Sequence, residues 1–156
     1  LGKDRASFLL ILDDLQDPGN LGTIMRAAEA AGVTGILMSS DCVDIYNPKT
    51  IRSTMGALYR VPFVVSEDFA GDIEHLKKAG VSTYAAHLGA TISYEGADYK
   101  KPCAFMIGNE ANGLSDEVAA LADCKILIPM AGQVESLNAA MAATVLMFEA
   151  ARQRRN

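Results

Sequence analysis

Apolar runs of strand character alternate along the chain with stretches of helical period. The runs are Phe8–Leu12, Gly35–Ser39, Pro62–Ser66, Ser82–His87, Cys103–Ile107 and Lys125–Pro129. Between them the spacing predicts helices near Leu21–Ala31, Pro48–Leu58, Phe69–Ala79 and Asp116–Ala122, then a long one from about Leu137 to Arg154. Continuous apolar strands that alternate with helices are buried on both faces, which implies an α/β fold: a mostly parallel six-stranded sheet with helices on both sides. The 156 residues hold no repeat, low-complexity tract or linker, so 1–156 reads as a single domain. The last predicted helix is apolar on nearly every side, with Leu137, Met141, Val145 and Phe148 in one stripe and alanines filling much of the rest. Such a helix needs cover on several faces. A second subunit, making a homodimer, or deep burial within the monomer would supply it.

The irregular stretches Asp13–Asn20, Leu88–Pro102, Gly108–Leu114 and Met130–Glu135 all follow strands. In open α/β sheets the ligand crevice lies beyond the carboxyl ends of the strands, so a site belongs among these loops. The stretch DPGNLGTIMRAAEAAG, residues 17–32, supplies Gly19 and Gly22 between strand and helix but matches neither G-x-G-x-x-G nor G-x-x-x-x-G-K-[ST]. No G-x-S-x-G elbow is present either, which leaves nothing to support a serine hydrolase.

Three polar clusters remain. In the first, Asn20 suits a helix cap, while Arg26 lies about 200° round the helix from Ile24, off the apolar face and within reach of Glu29 or of a ligand. In the second, GNEANGLS (108–115), Gly108 would let the backbone approach a ligand and Gly113 suits a turn with positive φ. Asn109, Asn112 and Ser115 have turn and cap chemistry, whereas Glu110 has no structural duty visible in the sequence. In the third, IPMAGQVESLNAA (128–140), Ser136 is placed to cap the last helix, and Asn138 either adds a cap contact or faces the crevice.

Composition narrows the picture further. Half the residues are apolar, yet no window approaches the roughly 18 consecutive apolar residues of a membrane span. The charged start, LGKDRASFLLILDDL, lacks the form of a signal peptide, so a cytoplasmic location without membrane contact is expected. Cys42, Cys103 and Cys124 form no C-x-x-C pair, and His75 and His87 complete no metal spacing with them; reduced thiols and no metal are expected. A net charge of −5 argues against an extended nucleic-acid surface. Positive charge still gathers locally in Lys49, Arg52 and Arg60, with Arg26 earlier in the chain, and a local groove is less constrained by net charge.

Asn20-x-Gly22-x-x-x-Arg26, IGNEANGLS and IPMAGQVESLNAAMAA together resemble the three motifs of the SpoU family of RNA ribose 2′-O-methyltransferases, a resemblance that runs from Leu12 to Ala151. NPKTIRSTMGALYRVPF, residues 47–63, resembles the ribosomal-RNA members more than the tRNA members. The resemblance implies a C-terminal trefoil knot, S-adenosyl-L-methionine held by the knot loops, RNA as substrate and a homodimer. Because the chain starts at Leu1 rather than Met, an upstream RNA-recognition domain lying outside it is also expected. Carried over by motif, cofactor contacts fall on Gly108, Ile128 and Leu137, with Leu88, Gly89 and Met130 completing an adenosine pocket. The catalytic and RNA-positioning set is Asn20, Arg26, Glu110, Ser136 and Asn138, and Lys49, Arg52 and Arg60 are candidates for phosphate contacts. The family proposal makes Arg26 the general base, but a guanidinium that stays charged is better suited to holding a phosphate and stabilising an alkoxide. The rival readings are a tRNA 2′-O-methyltransferase, a knotted dimer that binds RNA or cofactor without catalysis, and, more distantly, a nucleotide-dependent oxidoreductase.

Overall fold

The structure, a computed structural model, describes residues 6–54, 60–134 and 136–155. Seven strands form one sheet: β1 (Phe8–Leu12), β2 (Gly35–Ser39), β3 (Phe63–Ser66), β4 (Ser82–Ala86), β5 (Ile92–Ser93), β6 (Cys103–Ile107) and β7 (Cys124–Leu127). Five α-helices and a short 3-10 turn (Tyr94–Gly96) accompany them among the described residues: α1 (Pro18–Ala31), α2 (Pro48–Thr54), α3 (Phe69–Lys78), α4 (Asp116–Ala119) and α5 (Ala139–Arg155). The strand order is β3-β2-β1-β6-β4-β7-β5 and every pairing is parallel.

The sheet therefore has seven strands where the apolar runs predict six. The added strand, β5, pairs only Ile92 and Ser93 with Ile126 and Leu127 of β7, and two residues are too few to carry a period. β1, β2 and β6 coincide with their predicted bounds, β3 and β4 each lose one residue at an end, and β7 starts one residue earlier and ends two earlier than predicted. The part of the predicted second helix that reaches Leu58 lies outside the described residues.

β1 and β6 form the centre of the sheet, paired from Phe8–Cys103 to Leu12–Ile107, and all five residues of β6 are buried. On one face Leu10, Leu12, Phe105 and Ile107 pack against Leu21, Ile24 and Met25 of α1 and Leu146 and Met147 of α5. On the other, Ile11, Ala85, Ala104 and Met106 pack with Ile73 of α3 and Ala119 of α4. Helices thus cover both faces, which is why the central strands read as unbroken apolar runs.

α1 begins at Pro18, before the predicted Leu21, because Asp17 caps it by accepting from the Gly19 N–H at 2.8 Å. Proline fits the first helical position, where its missing N–H costs nothing. α1 lies close against α2 at Gly22, where a Cβ would stand 2.1 Å from Ser53 Cβ and 2.9 Å from the Thr50 carbonyl oxygen. α5 buries Ala140, Ala143, Leu146, Met147 and Ala150. Two members of the stripe that the sequence singles out point the other way, Met141 at 59% and Phe148 at 41% exposure, so the monomer does not bury this helix on all sides. Its far end is fastened by Arg154, which donates to the carbonyls of Ala6, Ser7, Tyr99 and Lys101 and lies 4.9 Å above the Phe8 ring. No helix among the described residues is long and apolar enough to cross a membrane.

Candidate active site

The three polar clusters meet beyond the carboxyl ends of β1, β6 and β7. The Asp13 N–H donates to the Ile107 carbonyl at 2.9 Å and extends the central ladder by one residue. The chain then turns at Asp14, whose φ of 55° lies in the left-handed region. Asp and Asn adopt that region more readily than other side chains, and here the turn is also tied from outside. The Asp14 N–H donates to Ser39 Oγ at 3.1 Å, and Asn109 Nδ2 donates to the Asp14 carbonyl at 2.9 Å.

The second cluster is a compact turn. Asn109 Oδ1 accepts from the Ala111 and Asn112 N–H groups at 2.9 and 3.1 Å, and the Gly113 N–H donates to the Asn109 carbonyl at 2.8 Å. Gly113 has a φ of 67°, as its predicted turn requires. Gly108 serves a packing purpose as well as standing in the cavity wall. A Cβ there would sit 2.3 Å from the Gly113 carbonyl carbon and the Leu114 nitrogen, so its bare backbone makes room for the chain's own loop. Gly22 is similar, since it makes room for α2. Glu110, which had no visible partner in the sequence, accepts from the backbone N–H groups of Gln16 and Asp17 at 3.0 and 2.8 Å.

In the third cluster Asn138 Oδ1 accepts from the N–H groups of Ala140 and Met141 at 2.8 and 3.2 Å. Asn138 therefore caps α5, and Ser136 does not; likewise Asp17, not Asn20, caps α1. Asn138 Nδ2 donates to Asn20 Oδ1 at 3.3 Å, which joins the third cluster to the first. Ser136 is exposed on the rim.

A cavity of about 520 Å³ opens between the second and third loops. Leu88, Gly108, Ile128, Met130 and Leu137 line it, together with Glu110 and Ser136. Gly89 does not: it lines a separate shallow groove against β5, and its N–H donates to His87 Nδ1 at 3.0 Å. The sequence reading missed His87 and Asn109 as wall residues. His87 Nε2 stands 3.5 Å from the Asp116 carboxylate, and its place at the end of a strand was the available signal. The walls combine aliphatic side chains with strand-end backbone groups, the usual make-up of a small-molecule site.

Arg26 is exposed on α1, one turn beyond Gly22 and so along the α1–α2 seam. Glu29, its sequence-based partner, pairs instead with Arg60 at 3.5 Å, an exposed pair of small energetic weight. Among the described residues no carboxylate pairs with Arg26, Lys49 or Arg52. Burial pushes the Asp13 carboxyl above its ordinary value, opposed by a hydrogen bond with Ser39 and helped by Asp14 and Asp41. Burial also raises the Cys42 and Cys103 thiols, which leaves both protonated and poor nucleophiles. No cluster of metal-ligating side chains occurs among the described residues.

A parallel α/β domain with a small-molecule cavity and a ring of amides, acids and an unpaired arginine beyond its strand ends is built to bind a ligand at that edge. The chain belongs to the SpoU rRNA Methylase family, whose profile matches residues 7–148. It is 41% identical over 144 residues to an uncharacterised tRNA/rRNA methyltransferase of a Synechocystis strain, covering 92% of this chain and 53% of the relative. It is 35% identical over 140 residues to the 23S rRNA guanosine 2′-O-methyltransferase RlmP of Bacillus subtilis, covering 90% and 56%. Among solved structures, the SpoU methyltransferase AviRb from Streptomyces viridochromogenes in complex with AdoMet superposes with a TM-score of 0.88 at 36% identity, covering 98% of this chain and 63% of that one. The chain thus spans little more than half the length of these curated relatives.

Proposed function

We propose that this chain is the catalytic domain of an S-adenosylmethionine-dependent methyltransferase that acts on a ribose 2′-hydroxyl of ribosomal RNA. The observation that carries the reading is the cavity's position: its aliphatic, backbone-rich walls stand directly beside the Asn20–Asn138 contact. Relatives named for 23S rRNA 2′-O-methylation, and a solved relative in complex with AdoMet, support the reaction and the choice of RNA.

The cavity fits the cofactor. Its volume of about 520 Å³ suits a nucleoside with a short side chain, and its apolar walls end in backbone groups that can read an adenine. Gly108, Ile128 and Leu137, with Leu88 and Met130, would hold the adenosine. When bound, the cofactor supplies a methyl group already activated on a sulfonium, so the protein's task is alignment and help with the hydroxyl proton.

Arg26 holds the phosphate beside the target ribose and stabilises the developing alkoxide. It is not a base, because a guanidinium stays charged near neutral pH. The proton leaves to phosphate or water. Asn20 and Asn138, already in contact, orient the ribose, and Ser136 lines the approach to it. Lys49, Arg52 and Arg60 supply further phosphate contacts along α2 and the segment after it. Met141 and Phe148, exposed on α5, support a homodimer that covers this helix. A C-terminal trefoil knot belongs to the same reading, as the family resemblance implies. An RNA-recognition domain outside this chain and a cytoplasmic location belong to the same reading.

The test is transfer of tritiated methyl from S-adenosylmethionine to ribosomal RNA by the wild type and by Arg26→Lys. Incorporation at a 2′-oxygen, with most activity lost in the lysine variant, is expected because an ammonium cannot reproduce the planar fork. Methyl found on a base, or a lysine variant near the wild-type rate, would overturn the reading.

A further inference from the structure

The loop after β6 faces two ways. Residues 108–114 line the cavity, yet the side chains of Asn109 and Glu110 reach back to the segment that leads into α1. Glu110 Oε1 takes the Gln16 N–H at 3.0 Å and the Asp17 N–H at 2.8 Å, while Oε2 stands 3.2 Å from the same Gln16 nitrogen. Asn109 Nδ2 holds the Asp14 carbonyl at 2.9 Å, at the residue whose φ of 55° makes the turn. A left-handed conformation at a non-glycine residue persists when its surroundings over-determine it, and such turns gather at functional sites. Here Asn109 and Ser39 fix Asp14 from both sides. Asp17 then caps α1, on whose first three turns Asn20 and Arg26 stand. A carboxylate in front of a helix N-terminus is also favoured by the helix dipole.

We propose that Asn109 and Glu110 are positioning residues that couple occupancy of the cavity to the placement of Asn20 and Arg26. They touch no reacting group and act by fixing residues 14–17 to the cavity rim; the proposal rests on the methyltransferase reading given above. The chemistry of the tie separates this role from that of a charged catalytic group. Oε1 accepts both N–H groups and Oε2 only shares the Gln16 donor, so a glutamine amide oxygen in the Oε1 place can hold both N–H groups and gives up the shared contact alone. Glu110→Gln therefore keeps the tie, and Glu110→Ala and Asn109→Ala each remove part of it.

The experiment uses the whole chain, with S-adenosylhomocysteine as the bound probe. Amide hydrogen exchange across residues 14–20 is read with and without the probe, alongside calorimetric affinity, melting temperature and methyl-transfer kcat and KM. In the wild type the probe slows exchange at Gln16 and Asp17. In Glu110→Ala and Asn109→Ala the probe binds within about threefold of wild type, the added protection disappears, and kcat falls on the order of a hundredfold with KM little changed. Glu110→Gln keeps the protection and falls less than about tenfold. Glu110→Gln falling as far as Glu110→Ala, or Glu110→Ala keeping the probe-induced protection, would overturn the proposal. If the wild type binds the probe and shows the protection but transfers no methyl to RNA, the functional reading fails and the coupling stands.

Discussion

Gly108→Ala tests whether the loop over the cavity is held by its own packing. The added Cβ would meet the Gly113 carbonyl carbon and the Leu114 nitrogen at 2.3 Å and the Gly113 oxygen at 2.5 Å, where ordinary contact begins at 3.4 Å. These are backbone atoms, so no rotamer change relieves the clash, and the turn must move by about 1 Å. Overpacking of this kind costs about 1–3 kcal/mol, and the upper end applies when backbone must shift. For a domain of this size that lowers the melting temperature by roughly 5–10 °C. The displaced turn carries Asn109 and Glu110 and forms one wall of the cavity, so affinity for S-adenosylhomocysteine should fall at least about tenfold, equal to about 1.4 kcal/mol. Calorimetric titration and thermal unfolding measure the two effects. Gly96→Ala is the control: its Cβ would find only Ile92 Cγ2 at an ordinary 3.7 Å, and both quantities should match the wild type. A Gly108→Ala protein that melts and binds like the wild type would show instead that the turn is free to move.

Two further outcomes follow from half-buried charged side chains. Arg154→Met removes the donor shared by four backbone carbonyls and the cation above Phe8, and should cost about 3 kcal/mol, seen as a loss of roughly 6–12 °C in melting temperature. Asp13 has its folded-state carboxyl raised by burial, so its contribution to stability falls as pH rises from the ordinary carboxylate range through the raised value. Asp13→Asn should therefore unfold at higher urea than the wild type near neutral pH, with the gap closing as the solution is acidified.

Local patterns carried the sheet's centre into the sequence. β1, β2 and β6 are legible to the residue because each is a run of five with an apolar centre, bounded by polar residues, proline or glycine. β5 is not legible, since two residues have no period and its pairing with β7 is decided only once β7 is in place. Helix caps were half legible: the sequence offered Asn20 for α1, which proves to lie inside the helix, and Ser136 or Asn138 for α5. Asp17 won over Asn20 because Pro18 fixes the first helical position, and Asn138 won over Ser136 by reaching both Ala140 and Met141. In a helix as alanine-rich as α5 several stripes are apolar, so periodicity alone could not say that Ala143 and Met147 face inward while Met141 and Phe148 face out. The site residues stood out in the sequence as three clusters, but their wiring did not. Glu110 and Asn109 bind backbone more than 90 positions away, and what approaches Gly22 or Gly108 depends on tertiary packing.

The polar groups beyond the strand ends largely satisfy one another. Asn109 and Glu110 are committed to residues 14–17, Asn138 to the α5 cap and Asn20, and His87 to Gly89 and Asp116. Three cations near the α1–α2 contact have no ion-pair partner among the described residues: Arg26 on α1 and Lys49 and Arg52 on α2, the two helices meeting at Gly22. Each is exposed, so none costs the desolvation of a buried charge. In physiological salt, charges more than about 8 Å from a bound group are largely screened, so the net charge of −5 spread over the molecule weighs less on a ligand at this seam than these three cations do. A ligand that completes the seam must therefore bring negative charge, and one that also reaches the cavity mouth must bring it next to a neutral, hydrogen-bonding part. A phosphodiester beside a ribose has both features, which is why a domain of acidic composition is compatible with an RNA substrate.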